Sequence, residues 1–397
     1  MTAWLDVIGM GEDGWNGLLP AARARLQAAE FVVSGERLMG LLPDIAAERV
    51  LWPSPFRDLA EELTKWRGRR VAVLVTGDPL WFSAGALMMR HFAPEEITYY
   101  PQLSAFQLAA ARMKWSLADV ETLTIHGRPA EQALPFFAPG ARLLILTQDG
   151  GSPARVAEML REAGMGASRL TVLASLAGPD EARIDGTAAD WTALAPEFHV
   201  LAVACAGDPG AAILPRTGLP DGAFEHDGQL TKRELRVLTL AALAPRRGQL
   251  LWDIGAGCGS VGIEWMRAER DMRAIGIEAS PERLAVAAGN ATRLGAPRFD
   301  LRHGTAPDAL EGLPAPDAVF IGGGLSEEVA KASLDALRPH GRLVANAVTL
   351  ESEALLAQLH AAHGGTLVRV AVSRAAPVGS LRGWKPLMPV TQWSFTK

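Results

Sequence analysis

Residues 249–265 read QLLWDIGAGCGSVGIEW. A run of apolar side chains ends at Asp253 and Ile254, and Gly255, Gly257 and Gly259 follow at alternate positions. A helical pattern takes over at Ser260. The order is buried strand, tight turn, helix. Glycine suits such a turn because the backbone bends sharply and must approach a ligand with no Cβ in the way. The helix start beyond it offers unpaired N–H groups and a positive dipole end to an anion. The next apolar run, RAIGIE, ends in Glu278, about 20 residues on, where a carboxylate can hold ribose hydroxyls. Dinucleotides and other nucleoside cofactors share these parts.

Outward from this turn the chain keeps alternating strand-sized apolar runs with helical patterns, which reads as α/β. After a helix in TKRELRVLTLAALAP come the strands QLLWDIG, RAIGIE, FDLRHG, DAVFIGG, GRLVANAV, TLVRVAV and VTQWSFT. They predict a parallel, doubly wound sheet with an antiparallel strand at one edge. Upstream, AWLDVI, FVVS, RVAVLVT, ITYY, RLLILT, LTVLAS and HVLAVAC are a separate strand series. Prolines and glycines crowd residues 205–222, CAGDPGAAILPRTGLPDG, and break any regular element. The boundary placed there divides a domain 1–208 from a domain 209–397.

Composition bounds the function. With 397 residues, 49% of them apolar, the chain can build two ordinary cores. A net charge of −5 argues against a nucleic-acid partner held by a broad basic surface. Cys205 and Cys258 lie in no CxxC or Cys/His cluster, so neither a metal site nor a disulfide framework is expected. No basic segment precedes an apolar one at the start, and no apolar run reaches membrane length. A soluble cytoplasmic protein is the expectation.

The spelling D-x-G-x-G-x-G, from Asp253 to Gly259, resembles motif I of S-adenosylmethionine-dependent methyltransferases. With HDGQLTKREL, GTAPDAL and FIGGG it resembles the decarboxylating precorrin methyltransferases of cobalamin biosynthesis, over most of residues 212–397. The resemblance implies a Rossmann-like methyltransferase sheet. It implies that Gly255, Ala256, Gly257, Cys258 and Gly259 wrap the methionine end of S-adenosyl-L-methionine. Glu278 would hold the ribose, Thr231 would touch the cofactor from the preceding helix, and Ala306 would lie by the adenine. Gly322–Gly324 would border the substrate.

A second glycine stretch, VIGMGEDGW at residues 7–15, contains a literal GxGxxG in Gly9, Gly11 and Gly14. A dinucleotide site needs the helix to begin inside that motif, whereas here the helical pattern starts only near Leu18, with Pro20 in its first turn. VIGMGEDG, VTGDPLWFS and PQLSAFQLAAARM, in that order, resemble the tetrapyrrole methylase family across roughly residues 3–205. TIHGR, at Thr124–Arg128, is similar to its carbon-5 methylating branch. The resemblance implies a two-subdomain fold with S-adenosylmethionine lined by Thr76, Gly77 and Asp78, and by Phe82, Ser104 and Ala105, with Trp81 nearby. On that view the early glycines face substrate or methyl donor. Asp78 can equally be a plain turn aspartate, and His126 a strand-end histidine satisfied by backbone.

Together the two resemblances imply a bifunctional methyltransferase acting on a small-molecule tetrapyrrole at meso carbons 5 and 15, with loss of a ring C acetate carboxyl. Both families commonly self-associate, which implies a homo-oligomer. A reduced meso carbon is already nucleophilic and a sulfonium methyl already electrophilic, so alignment and exclusion of water suffice. No catalytic side chain is assigned. The substrate's carboxylate arms call for cations, with Lys232, Arg233 and Arg236 as candidates and Arg302 and His303 behind them. A metal-free or a cobalt-loaded substrate fits equally. The rivals are a nicotinamide oxidoreductase, an RNA methyltransferase and a binding protein without chemistry.

Overall fold

The computed structural model describes residues 3–54 and 58–397. The chain divides into two compact units, one holding the residues up to Arg128 and Phe137–Ala211, the other Pro129–Phe136 and Ala212–Lys397.

The first unit carries two sheets. Strands β1 (Leu5–Met10), β2 (Phe31–Ser34), β3 (Glu48–Leu51), β4 (Val71–Thr76) and β5 (Ile97–Tyr100) run parallel in the order β3-β2-β4-β1-β5. Alternate residues feed separate cores. Leu5, Val7, Val71, Val73 and Val75 pack on one face, and Ile8, Met10, Ala72 and Leu74 on the other. Burial on both faces is why these strands read as unbroken apolar runs. The second sheet holds β6 (Glu121–Thr124), β7 (Arg142–Leu146), β8 (Arg169–Ala174), β9 (Ala182–Thr187) and β10 (His199–Ala204), in the order β6-β7-β10-β8-β9. Only β6 and β7 pair in parallel.

Two helix starts differ from expectation. A single helical turn, Gly14–Gly17, comes first, Leu18 and Leu19 are extended, and only then does the helix Pro20–Ala28 begin. The helical pattern of SAGALMMR, which predicts a helix from about Ser83, is realised only at Gly85–Met88. Phe82, at φ +52°, lies in the left-handed region and cannot continue a helix backwards.

In the second unit, β11 (Leu250–Ile254), β12 (Arg273–Glu278), β13 (Asp300–His303), β14 (Ala318–Ile321), β15 (Arg342–Ala347) and β16 (Thr366–Val370) are joined by a last strand after a hairpin. The hairpin is β17 (Ser373–Val378) and β18 (Leu381–Pro386), and the last strand is β19 (Val390–Thr396). The sheet order is β13-β12-β11-β14-β15-β19-β16. The antiparallel strand β19 therefore lies between β15 and β16, not at the edge as expected. Its burial explains the place: Trp393 is fully buried, whereas β16 is mostly exposed. Leu250, Trp252 and Ile254 face one core and Leu251 the other. The strand order reverses between β11 and β14, which puts a crevice outside their carboxyl ends.

Candidate functional site

In the second unit three turns converge at the carboxyl ends of β11, β12 and β14. Gly255 (φ +70°) comes so close to the turn after β14 that a Cβ on it would lie 2.7 Å from Gly323 N. Gly255 and Ala256 both donate backbone N–H bonds to Ile277 O, at 2.9 and 3.0 Å. Gly257 (φ +57°) differs from both neighbours, because no atom lies within 4 Å of where its Cβ would be. Its N–H donates to Glu278 Oε2 at 2.8 Å, and Ser280 N–H donates to Glu278 Oε1 at 2.9 Å. The strand-end carboxylate is buried and oriented by two backbone donors. Gly304 N–H bonds Glu278 O at 3.0 Å, which brings the turn bearing Ala306 beside the same strand end.

Beneath the turn, Asp253 Oδ2 accepts Gly262 N–H at 2.9 Å, while its Oδ1 is buried without a partner. Burial pushes this carboxyl up to about 7, against the lowering effect of the Gly262 bond and with help from the nearby negative Glu278. Gly262 has a packing role: a Cβ there would lie 2.2 Å from the Phe299 ring, which also rests on Gly276. Ala256 and Cys258 are buried, and burial raises the Cys258 thiol, so the turn presents backbone and not these side chains.

The helix Arg233–Leu243 starts after Lys232, which is half-buried and makes no ion pair among the described residues. Arg233 is exposed. Arg236 corrects the expectation of a substrate contact. It is 0% exposed, with Nε on Glu264 Oε1 at 2.9 Å, Nη1 on Asp221 Oδ1 at 2.8 Å and further bonds to Thr231 O and Leu219 O. Buried charge must be paired, and this guanidinium spends its donors inside the protein. Thr231 accordingly offers its carbonyl to Arg236. Arg302 is also engaged, bonded to Asp300 at 2.8 Å, and His303 Nε2 lies 3.0 Å from Ala279 O.

In the first unit the turns after β1, β4 and β5 meet backbone to backbone. A Cβ on Gly9 would lie 2.1 Å from Gly77 O, and one on Gly77 (φ +62°) 3.3 Å from Ser104 Cα. Gly11 and Gly17 face the Asp13 carboxylate and Gly14 faces Leu41. The Cβ side of each of these glycines is therefore taken up by the protein itself. Asp78 Oδ1 accepts Leu80 N–H at 2.8 Å, an ordinary turn bond, and His126 Nδ1 lies 3.2 Å from Thr147 O. Ser104 caps the helix Ala105–Met113 in a reciprocal box with Gln107. Phe82 is exposed, its ring edge-on to Phe106 at 5.9 Å and beneath the Arg128 guanidinium at 5.9 Å. Thr76 Oγ1 accepts from Arg37 Nη2 at 2.8 Å, and Arg37 also pairs with Glu12 and lies 4.0 Å over the Phe198 ring.

Residues 5–192 match the tetrapyrrole (corrin/porphyrin) methylase family model, and residues 222–397 match the precorrin methyltransferase domain. A precorrin-6Y C(5,15)-methyltransferase [decarboxylating] from Sinorhizobium is 49% identical over all of this chain and 97% of its own. The chain belongs to the precorrin-6Y C(5,15)-methyltransferase (decarboxylating) family. The Mycobacterium tuberculosis protein of that name is 40% identical over 98% of this chain and 99% of its own. A crystal structure of the C-terminal domain of the Rhodobacter capsulatus precorrin-6Y C5,15-methyltransferase, 52% identical, covers 46% of this chain and 100% of its own, with a TM-score of 0.44. As a member of this family the chain is a methyltransferase, and the nicotinamide oxidoreductase reading falls away.

Within this precorrin-6Y C(5,15)-methyltransferase family member, three features of the candidate sites escape the sequence reading. Arg37 is the first: it follows the buried strand β2 at its carboxyl end, a position that carries site residues in parallel sheets. The orphan oxygen of Asp253 is the second. The packing of Gly262 on Phe299 is the third, and the glycine three residues into an otherwise apolar helix is its one visible signal. Among the described residues no three His, Cys, Asp or Glu side chains gather as a metal set, and no helix is long and apolar enough to cross a membrane.

Proposed function

We propose that this chain methylates precorrin-6Y (precorrin-6B) at meso carbons 5 and 15 with S-adenosyl-L-methionine and removes the ring C acetate carboxyl, giving precorrin-8. Residues 1–208 carry the carbon-5 methylation, and residues 209–397 the carbon-15 methylation and the decarboxylation. The observation that carries the second site is the open side of Gly257, set between a helix N-terminus and the oriented Glu278 carboxylate.

The residues present fit the donor. When bound, it supplies an electrophilic methyl on sulfur. The turn Gly255–Gly259 and the start of the helix Ser260–Ala268 offer N–H groups to a carboxylate. Each oxygen of Glu278 has accepted one backbone bond and keeps a lone pair for a ribose hydroxyl. In the first unit Thr76, Gly77, Asp78, Phe82, Ser104 and Ala105 lie on two adjoining turns at the carboxyl ends of β4 and β5, where they can line a second donor site.

Neither site needs a nucleophile from the protein. The chain's work is to hold substrate and donor in line and keep water out, contributions worth several orders of magnitude in rate. In the decarboxylation the bond between the acetate methylene and its carboxyl breaks, carbon dioxide leaves, the electron pair is delocalised into the conjugated macrocycle, and uptake of one proton at the former methylene leaves a methyl group. Lys232, at the start of its helix and without an ion pair among the described residues, is the cation we assign to a substrate carboxylate, with Arg233 beside it.

Mass spectrometry of the reduced tetrapyrrole incubated with S-adenosylmethionine and the full chain tests the reading. The expected product has gained two methyl groups and lost one carbon dioxide. One methyl or none sinks the bifunctional assignment.

A further inference from the structure

Two guanidinium groups reach the ends of a single turn in the first unit from different sheets. Arg37, after β2, bonds Thr76 at the end of β4. Arg128, after β6, lies over Phe82, where that turn closes. We propose that Arg37 and Arg128 are the carboxylate anchors of the carbon-5 site, gripping acetate or propionate arms of the macrocycle at either end of residues 76–82. The proposal rests on the functional reading above and adds the residues that orient its substrate.

Many guanidinium groups of the unit are paired within the protein. Arg25, Arg67, Arg69, Arg112 and Arg183 each hold a carboxylate of the protein within 2.8 Å. Arg128 has no carboxylate partner among the described residues, in a chain whose net charge is −5. Arg37 has Glu12 and Thr76, which engage two of the five N–H donors of a guanidinium and leave part of its fork available. The Phe198 ring and partial burial desolvate Arg37 and lower its pKa, yet a guanidinium stays charged, and reduced screening strengthens its grip on an anion.

Between the two cations the turn exposes apolar side chains beside the half-buried Asp78 carboxylate, which Leu80 N–H holds. Leu80 is 48% and Phe82 42% exposed on the turn itself, and Leu103 on the adjoining turn is 53% exposed. Phe82 is held there in a left-handed backbone conformation that a bulky residue rarely adopts, the kind of strain that collects at ligand sites. Apolar contact flanked by cations is the complement of a flat macrocycle edged with carboxylates.

The test is steady-state kinetics on the full chain with the reduced tetrapyrrole and S-adenosylmethionine, scoring carbon-5 and carbon-15 products separately by mass spectrometry. Arg37→Ala and Arg128→Ala are each expected to raise the tetrapyrrole KM for carbon-5 methylation about tenfold. The KM for the donor and the carbon-15 product should be unchanged. Arg37→Lys keeps the charge without the fork and should fall between. An unchanged tetrapyrrole KM in both alanine variants overturns the proposal, as does a weakened donor KM in its place. Arg128 is exposed, so its variant decides the matter if Arg37→Ala lowers the melting temperature. A wild-type chain that adds no methyl at carbon 5 overturns the functional reading itself, before any variant is made.

Discussion

Glu278 Oε2 accepts the backbone N–H of Gly257 at 2.8 Å, tying the carboxylate that ends β12 to the one residue of its glycine turn with open space on its Cα. A side chain at residue 257 fills that space, and the φ of +57° adds a cost of roughly 1–2 kcal/mol for an L-residue. Gly257→Val is expected to abolish carbon-15 methylation and decarboxylation while carbon-5 methylation continues. Product masses separate the outcomes, and loss of both activities would count against independent sites.

Arg236 and Glu264 form an ion pair with both side chains fully buried. Glu264 also accepts the N–H groups of Gly218 and Leu219, so the pair fastens the segment before the helix Arg233–Leu243. Removing one partner strands a buried charge, at a cost of about 3–5 kcal/mol. Arg236→Ala should therefore lower the melting temperature of the second unit by roughly 10 °C in calorimetry. A substrate-binding arginine would instead raise KM with melting unchanged.

The contrast between these two places shows what sequence can and cannot convey. The glycine turn is legible because its demands are local: alternate glycines between a strand and a helix leave few other readings. Arg236 is illegible because its partners Asp221 and Glu264 stand 15 and 28 residues away, and a cation one turn into a helix reads as solvent-facing. Arg37 escapes for the same reason, since Thr76 is 39 residues distant. The hairpin β17–β18 escapes for another. Both strands are largely exposed, so no alternation betrays them, and only the two-residue turn at Gly379 marks the reversal.

Gly9 illustrates a motif that is present and serves another end. Its Cα faces Gly77 O so closely that a Cβ would lie 2.1 Å from it, and backbone cannot yield as a side chain can. Gly9→Ala should destabilise the first unit by about 3 kcal/mol, the upper range of overpacking. Chemical denaturation of the variant checks this, and a nicotinamide fluorescence titration of the wild type should show no binding at the GxGxxG stretch.

Asp253 gives the second unit a pH dependence of definite sign. Its folded-state carboxyl is pushed up to about 7 by burial, while in the unfolded chain it titrates near an ordinary value of about 3.9. Between those values the folded protein holds a proton that the unfolded chain has released. The contribution is fully present below the unfolded value and is lost as pH rises through the folded one. Asp253→Asn keeps a neutral group of the same shape, and its carbonyl can still accept the Gly262 N–H. The melting temperature of the wild type should therefore fall relative to that of Asp253→Asn as pH rises from about 5 to about 8. A difference that stays constant over that range would mean the carboxyl beneath the glycine turn does not change its charge there.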